Sequence, residues 1–337
     1  MRRLCVVLAG SFLVLASLSS CSKLRGNAVG ESNDLVIVRD QEGASRAASF
    51  LASVMESPVA WLLDEKAFAP TISDVSGFQS VSARRHLILV GTWGGKGVES
   101  LVRQRVKGIP RGEAARLHIA KDVWAKGQVV GVIMGPNEDD ILSYLDKNKD
   151  EILRTFEEAA MEQHVEDLRR RAETAGVSST LEERYGWSVC PPTDYEFMSG
   201  NAQNGFVFFR RVRPDRSVFV YWQEGEASFV TESFALSKRQ ELTKRYYDGD
   251  EIEWQRGVEM KQVEFAGRPA VRLSGWWANQ RLVGGGPFRS YCFYEPSQAR
   301  VYLVDTSLFA PGQDKVPLML NLDAIARSFR AAEGAAR

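Results

Sequence analysis

Hydrophobic positions along the chain change period from one stretch to the next, and each period predicts a different element. Leu4 to Leu18 carries no charge and follows Arg2 and Arg3. Leu35-Val36-Ile37-Val38 is a short continuous apolar run, the pattern of a buried strand. Ala44 to Met55 has helical spacing, with Phe50, Leu51 and Val54 on one side. His86 to Gly91 is the strongest strand of this half. Gly97 to Val106 reads as a helix ended near Gly108 and Pro110. Ala115 to Trp124 and Gln128 to Gly135 read as two strands around Ala125-Lys126-Gly127. Asn137 is placed to cap a helix whose first turn, Glu138-Asp139-Asp140, suits its positive end. Asn148 breaks that helix, and a second from Asp150 carries Ile152, Leu153, Phe156, Val165 and Leu168 to a stop near Gly176.

The second half is richer in long strands. Trp187-Ser188-Val189, Phe206 to Val212 and Ser217 to Gln223 come first. Phe234 to Tyr247 then reads as a helix, with Leu236, Leu242 and Tyr246 as core candidates. Val258 to Phe265, Arg268 to Trp277, Pro287 to Tyr294 and Ala299 to Thr306 read as further strands. Leu318, Leu322, Ile325 and Phe329, three or four residues apart, predict a closing helix over Lys315 to Arg330. Hairpin-joined strands with flanking helices imply an α+β fold, as two units with largely antiparallel sheets. The boundary falls near 174–184, a polar and flexible stretch, giving units at 34–178 and 179–330.

The first run is too short to cross a hydrocarbon core of about 30 Å, which needs roughly twenty helical residues. A charged start, a short apolar core and small residues before a cut site are a signal-peptide pattern. Leu18-Ser19-Ser20-Cys21 resembles the bacterial lipobox. Residues 1–20 are then a signal peptide and Cys21 is lipidated, which ties the body to a membrane of the bacterial cell envelope. An outer membrane is the expected site, on its periplasmic or surface face. Residues 21–33, rich in Gly, Ser and Asn, are expected to be a flexible tether.

Composition narrows the function classes. Of 337 residues 44% are hydrophobic and 26% charged, enough for a substantial core. Lys and Arg number 43 against 43 Asp and Glu, so no net field draws the chain to nucleic acid. Cys190 and Cys292 remain in an exported setting, where they either pair or stay separate buried thiols.

Candidate chemistry is sparse. Gly91 to Gly97 (GTWGGKG) follows a strand and opens a helix, as a phosphate loop does, but the spacing fails and Gly97 stands where Ser or Thr is needed. No nucleotide or cofactor is expected. His86, His118 and His164 share no metal-ligand spacing, so no metal is expected. No GxSxG elbow occurs. Asp139-Asp140 and Asp248/Asp250 are explained by a helix start and a turn. No catalytic residue is assigned. The strongest remaining stretch is Trp276, Trp277, Arg281, Gly284, Gly285, Gly286 and Pro287. One tryptophan should be core and the other exposed, and the glycines should admit close approach by a partner.

Gly285-Gly286-Pro287-Phe288, Ala310-Pro311-Gly312-Gln313-Asp314-Lys315, and Leu318-Met319 with Leu322 resemble a bacterial lipoprotein family, domain of unknown function 4837 (DUF4837). Lipobox, early strand, Asp122-Val123-Trp124-Ala125 hairpin and Asn148-Lys149 break follow in the same order, so the resemblance runs from about 34 to 330. It implies location and domain content but no activity. Gly186-Trp187, Gly267-Arg268-Pro269-Ala270 and Ile325 to Arg330 look like the Mog1/PsbP-type α/β sandwich, a likeness of architecture only. The expected function is a non-catalytic envelope lipoprotein that binds an envelope protein or supports an assembly. The rival is an envelope hydrolase.

Overall fold

The computed structural model describes residues 25–332, apart from 96, 113, 176, 202 and 203. The expected signal peptide and the expected lipidation site, Cys21, lie outside the described residues. The α+β class holds, as two large sheets of different kinds beside two small two-stranded ones.

The N-terminal sheet has five strands, in the order Ala69–Asp74, Asp34–Arg39, His86–Thr92, Val129–Gly135, Arg116–Lys121. The expectation of largely antiparallel pairing fails here. Three pairings are parallel, and only Arg116–Lys121 runs against its neighbour. The physical reason is burial on both faces, which makes strands read as continuous apolar runs. Leu35, Ile37, Ile88, Val90 and Ile133 pack under the helix Ser45–Met55 and the start of the helix Glu138–Ala175. Val36, Val38, Leu87, Leu89 and Val132 pack on the opposite side, beside Val98 and Val102 of the helix Val98–Arg105.

The helix Glu138–Ala175 is kinked at Asn148, whose φ and ψ of −123° and 17° are non-helical. Asn148 Nδ2 donates to the Tyr144 carbonyl at 2.8 Å, a side chain competing with the helix ladder. Before and just after the kink it buries Ile141, Leu145, Ile152 and Phe156 in the N-terminal core. Its far end places Val165, Leu168 and Ala172 in the C-terminal core. One helix therefore staples both units. The expected flexible boundary is helical on both sides, since Val177–Tyr185 forms the next helix.

The C-terminal sheet has eight strands, all antiparallel. Glu251–Ile252 and Val258–Phe265 both pair Arg268–Asn279. The order then runs Gly284–Glu295, Arg300–Phe309, Asp215–Glu224, Phe206–Arg211, Glu196–Asn201. The helix Val316–Arg327 covers one face and the helix Glu232–Tyr246 the other. Among the described residues, no helix is long and apolar enough to cross a membrane.

The expected tether is docked from Gly26 onward. Lys126 N donates to Gly26 O at 2.9 Å, Ala28 N to Lys126 O at 2.8 Å, and Arg85 N to Val29 O at 2.8 Å. Ser32 Oγ donates to Asn321 Oδ1 in the C-terminal unit at 2.5 Å. A polar stretch can satisfy its backbone on a body as well as in water, which composition does not reveal.

Candidate functional site

The glycine-rich turn after His86–Thr92 is already filled. Asp40 is 3% exposed. Its carboxylate accepts from Val98 N at 2.7 Å and Thr92 N at 3.0 Å. A Cβ at Gly91, Gly95 or Gly97 would come within 2.7–2.8 Å of an Asp40 oxygen. Gly94 N donates to Glu99 Oε2 at 2.6 Å. The glycines thus make room for a protein carboxylate, not for a phosphate.

The hairpin predicted as a surface is arranged differently. Trp276 and Trp277 do point to opposite sides of the sheet, but both are half-buried, because each face of this sheet is covered. Trp276 Nε1 donates to the Trp61 carbonyl of the N-terminal unit at 2.9 Å, and the Arg256 guanidinium lies 4.6 Å from its ring centre. Trp277 Nε1 donates to Leu308 O at 3.2 Å, beside Phe309. Gly285 is exposed, Gly284 half-buried, Gly286 and Pro287 buried. A Cβ on Gly286 would sit 1.9 Å from Leu308 O, and one on Gly285 2.7 Å from Trp277 O. The close approach that Gly285 and Gly286 allow is to neighbouring strands of their own sheet. What the hairpin does expose is its tip. Arg281 is exposed, with Leu282 at 62% and Val283 at 89%.

Cys190 and Cys292 are both buried and are not joined by a disulfide. Burial pushes the Cys292 thiol up to about 12.

Two cavities escaped the sequence reading, because their walls come from segments far apart in the chain. The larger, about 610 Å³, lies between the units and includes Trp61, His86, His164, Arg289, Asp323 and Arg327. Asp323 is its hub. It accepts from Tyr291 Oη at 2.5 Å, Arg327 Nε at 2.9 Å and Arg289 Nη1 at 3.2 Å. Burial works to raise its pKa, but the fields of Arg327 and Arg289 and the Tyr291 bond outweigh it, leaving about 2. Arg289 also lies over Trp61 at 4.5 Å, a contact that links this cluster to the N-terminal unit. Burial lowers His86 to about 3 and His164 to about 4. His86 Nδ1 donates to Asp34 O at 2.9 Å, while Ser32 is committed to Asn321. The cleft's serine and this histidine therefore do not pair. Among the described residues, no three metal-ligating side chains converge.

The smaller cavity, about 280 Å³, lies behind the hairpin. Phe208, Tyr247, Trp277 and Phe309 are among its walls, and Asp248, Asp250, Asn279, Ser217 and Ser307 supply polar groups. Beneath it, Arg239 and Asp305 are fully buried and joined at 2.8 Å. Ser290 Oγ donates to Asp305 at 2.6 Å, and Arg239 lies 3.4 Å from the Phe288 ring centre. A hint was present in the sequence, where Tyr246-Tyr247-Asp248-Gly249-Asp250 ends a helix with aromatics beside acids.

Residues 174–328 match the family model of a domain of unknown function, DUF4837. Residues 28–169 match a second domain of unknown function, DUF8532. The resemblance expected from about 34 to 330 thus divides at the boundary between the units, with a different family on its N-terminal side. No curated protein matches the chain. Among solved structures, LpqN of Mycobacterium tuberculosis, described as involved in cell envelope biogenesis, is 11% identical. It covers 43% of this chain and 83% of its own, with a TM-score of 0.31. The Ran-binding protein Mog1p of Saccharomyces cerevisiae is 10% identical over 44% of this chain and 91% of its own, TM-score 0.32. Human StAR-related lipid transfer protein 5 is 11% identical over 48% and 95%, TM-score 0.19. Likeness at these scores carries no argument about function.

Proposed function

We propose that this chain, whose C-terminal domain belongs to the DUF4837 family, is a lipid-anchored cell-envelope protein that binds an envelope partner without catalysing a reaction. The anchor reading rests on Leu18-Ser19-Ser20-Cys21 behind an uncharged run. The binding reading is carried by one observation, the hairpin tip. Leu282 and Val283 are exposed there beside Arg281, on strands held from both sides by the two tryptophan hydrogen bonds. A tip already held in place loses little freedom on docking. An aliphatic pair beside a guanidinium offers apolar area together with a planar donor fork.

Two experiments on cells test this. In Cys21→Ala the body should leave the membrane fraction or stay unprocessed; a mature chain with unmodified Cys21 sinks the anchor. A photo-cross-linker at Val283 on intact cells should trap a single envelope protein, and Leu282→Asp should abolish the adduct. Cross-linking that is diffuse, or unchanged by Leu282→Asp, sinks the partner surface.

A further inference from the structure

The cavity behind the hairpin has a polar inventory that its own walls answer only in part. Asp250 is 8% exposed, and Asn279 Nδ2 donates to its Oδ1 at 2.7 Å. Its Oδ2 has no hydrogen-bond partner among the described residues. The Tyr247 hydroxyl is buried and meets no well-formed hydrogen bond, with the Ser217 hydroxyl close enough to interact with it. A buried hydroxyl so weakly answered is uncommon and asks for an explanation. The aromatic walls present π faces to the same space.

From this we infer that the cavity binds an organic ammonium group, with Asp250 receiving the cation, the Tyr247 hydroxyl accepting a second N–H, and Trp277 and Phe208 enclosing the carbon body.

Charge selects the ligand class. Among the described residues Arg210 is the only arginine or lysine in the cavity wall, and it is bound to Asp215 through both carboxylate oxygens. Below the floor, Arg239 is bound to Asp305. Asp248 and Asp250 form no ion pair among the described residues; Arg210 and Arg239 reach them only through their fields. An anion would meet both, and a neutral apolar ligand would strip water from Asp250 without replacing it. An ammonium supplies donors to the carboxylate and hydroxyl and is attracted to the ring faces. A volume of about 280 Å³ suits a small amine or one lysine side chain. These two sources share the chemistry, and the inference does not depend on the tip capturing a protein.

A pH signature goes with the site. Burial raises Asp250 to about 6, and Asp248 and Asp305 push the same way. The Asn279 bond and the Arg239 field oppose it. A bound ammonium favours the ionised carboxylate, so binding should be strong above pH 6 and fade as pH falls through it. Tyr247 is raised by burial and keeps its proton throughout.

The test uses the mature chain and saturation-transfer NMR with phenethylammonium, N-acetyl-lysine methylamide and, as neutral control, phenethyl alcohol. Either amine should bind at least roughly tenfold more tightly than the alcohol, and Asp250→Asn should remove that margin. Tighter binding of phenethylammonium points to a free amine, and tighter binding of the lysine derivative to a protein side chain; both support the site. Tyr247→Phe, which deletes one oxygen, and the pH profile of the unaltered protein serve if Asp250→Asn does not fold. Equal binding of amine and alcohol, an unchanged affinity in Asp250→Asn, or no binding of either amine at millimolar concentration overturns the inference.

Discussion

Two glycine-rich stretches invite the same reading and turn out opposite. Around residues 91–97 the glycines gather backbone amides, and the chain supplies its own anion, Asp40, to occupy them. Around 284–286 the glycines bring strands together, and the cavity left behind them holds Asp250, bonded through Oδ1 to Asn279, and a Tyr247 hydroxyl answered only weakly by Ser217. A glycine-rich loop is thus a site only when its polar atoms are left over. Sequence gives the glycines; only three-dimensional packing shows what fills them.

The largest expected effect breaks the first half of this contrast. Asp40→Ala removes the carboxylate from two amides and leaves the buried Val98 N–H without an acceptor. The cost should be about 3 kcal/mol, since hydrogen bonds to charged groups and orphaned buried donors each carry a kcal/mol or more. Chemical denaturation of the mature chain measures it. If Asp40→Ala is as stable as the parent, the nest is not built around Asp40, and the phosphate-loop likeness regains its interest.

The next effect separates glycines that look alike. Gly286→Ala sets a Cβ 1.9 Å from Leu308 O, a backbone atom that can move only with its strand. About 2 kcal/mol is expected, in the range for overpacking. Gly284→Ala meets only the Phe309 ring, at 3.4 Å, and should cost less than about 1 kcal/mol. Equal thermal shifts in the two variants would contradict the packing role assigned to Gly286.

Much of the fold was legible in the residue pattern, and the failures have physical causes. The long C-terminal strands and the closing helix fell where alternation and helical spacing placed them, because each buries a defined face. Ala69–Asp74 was missed because it is mostly half-exposed and short of apolar residues. Glu196–Asn201 was missed because Phe197 and Met198 are both exposed, so no alternation marks it. Parallel pairing in the first sheet was hidden, since runs such as Val129 to Met134 are apolar at every position but one and name no partner. Of the site, the hairpin was legible from two tryptophans and three glycines. The cavity was not, because Phe208, Asp250, Trp277 and Ser307 meet only after five strands have paired.

Arg281→Ala has the smallest expected effect on folding and is the most informative about the tip. Arg281 is exposed, and no ion pair or hydrogen bond holds it in the described structure. Its removal should change stability by less than about 0.5 kcal/mol, as for other exposed charges. Its removal should nevertheless weaken the adduct trapped at Val283, because a guanidinium at an interface supplies a directed donor fork and not only charge. Arg281→Lys keeps the charge and loses the fork. If Lys restores capture, the partner reads charge alone, and the adduct should weaken as salt is raised. If Lys fails and Ala fails, the partner reads the fork. If Arg281→Ala captures as well as the parent, the guanidinium has no part in recognition, and Leu282 and Val283 alone distinguish this exposed tip from the sealed loop around Asp40.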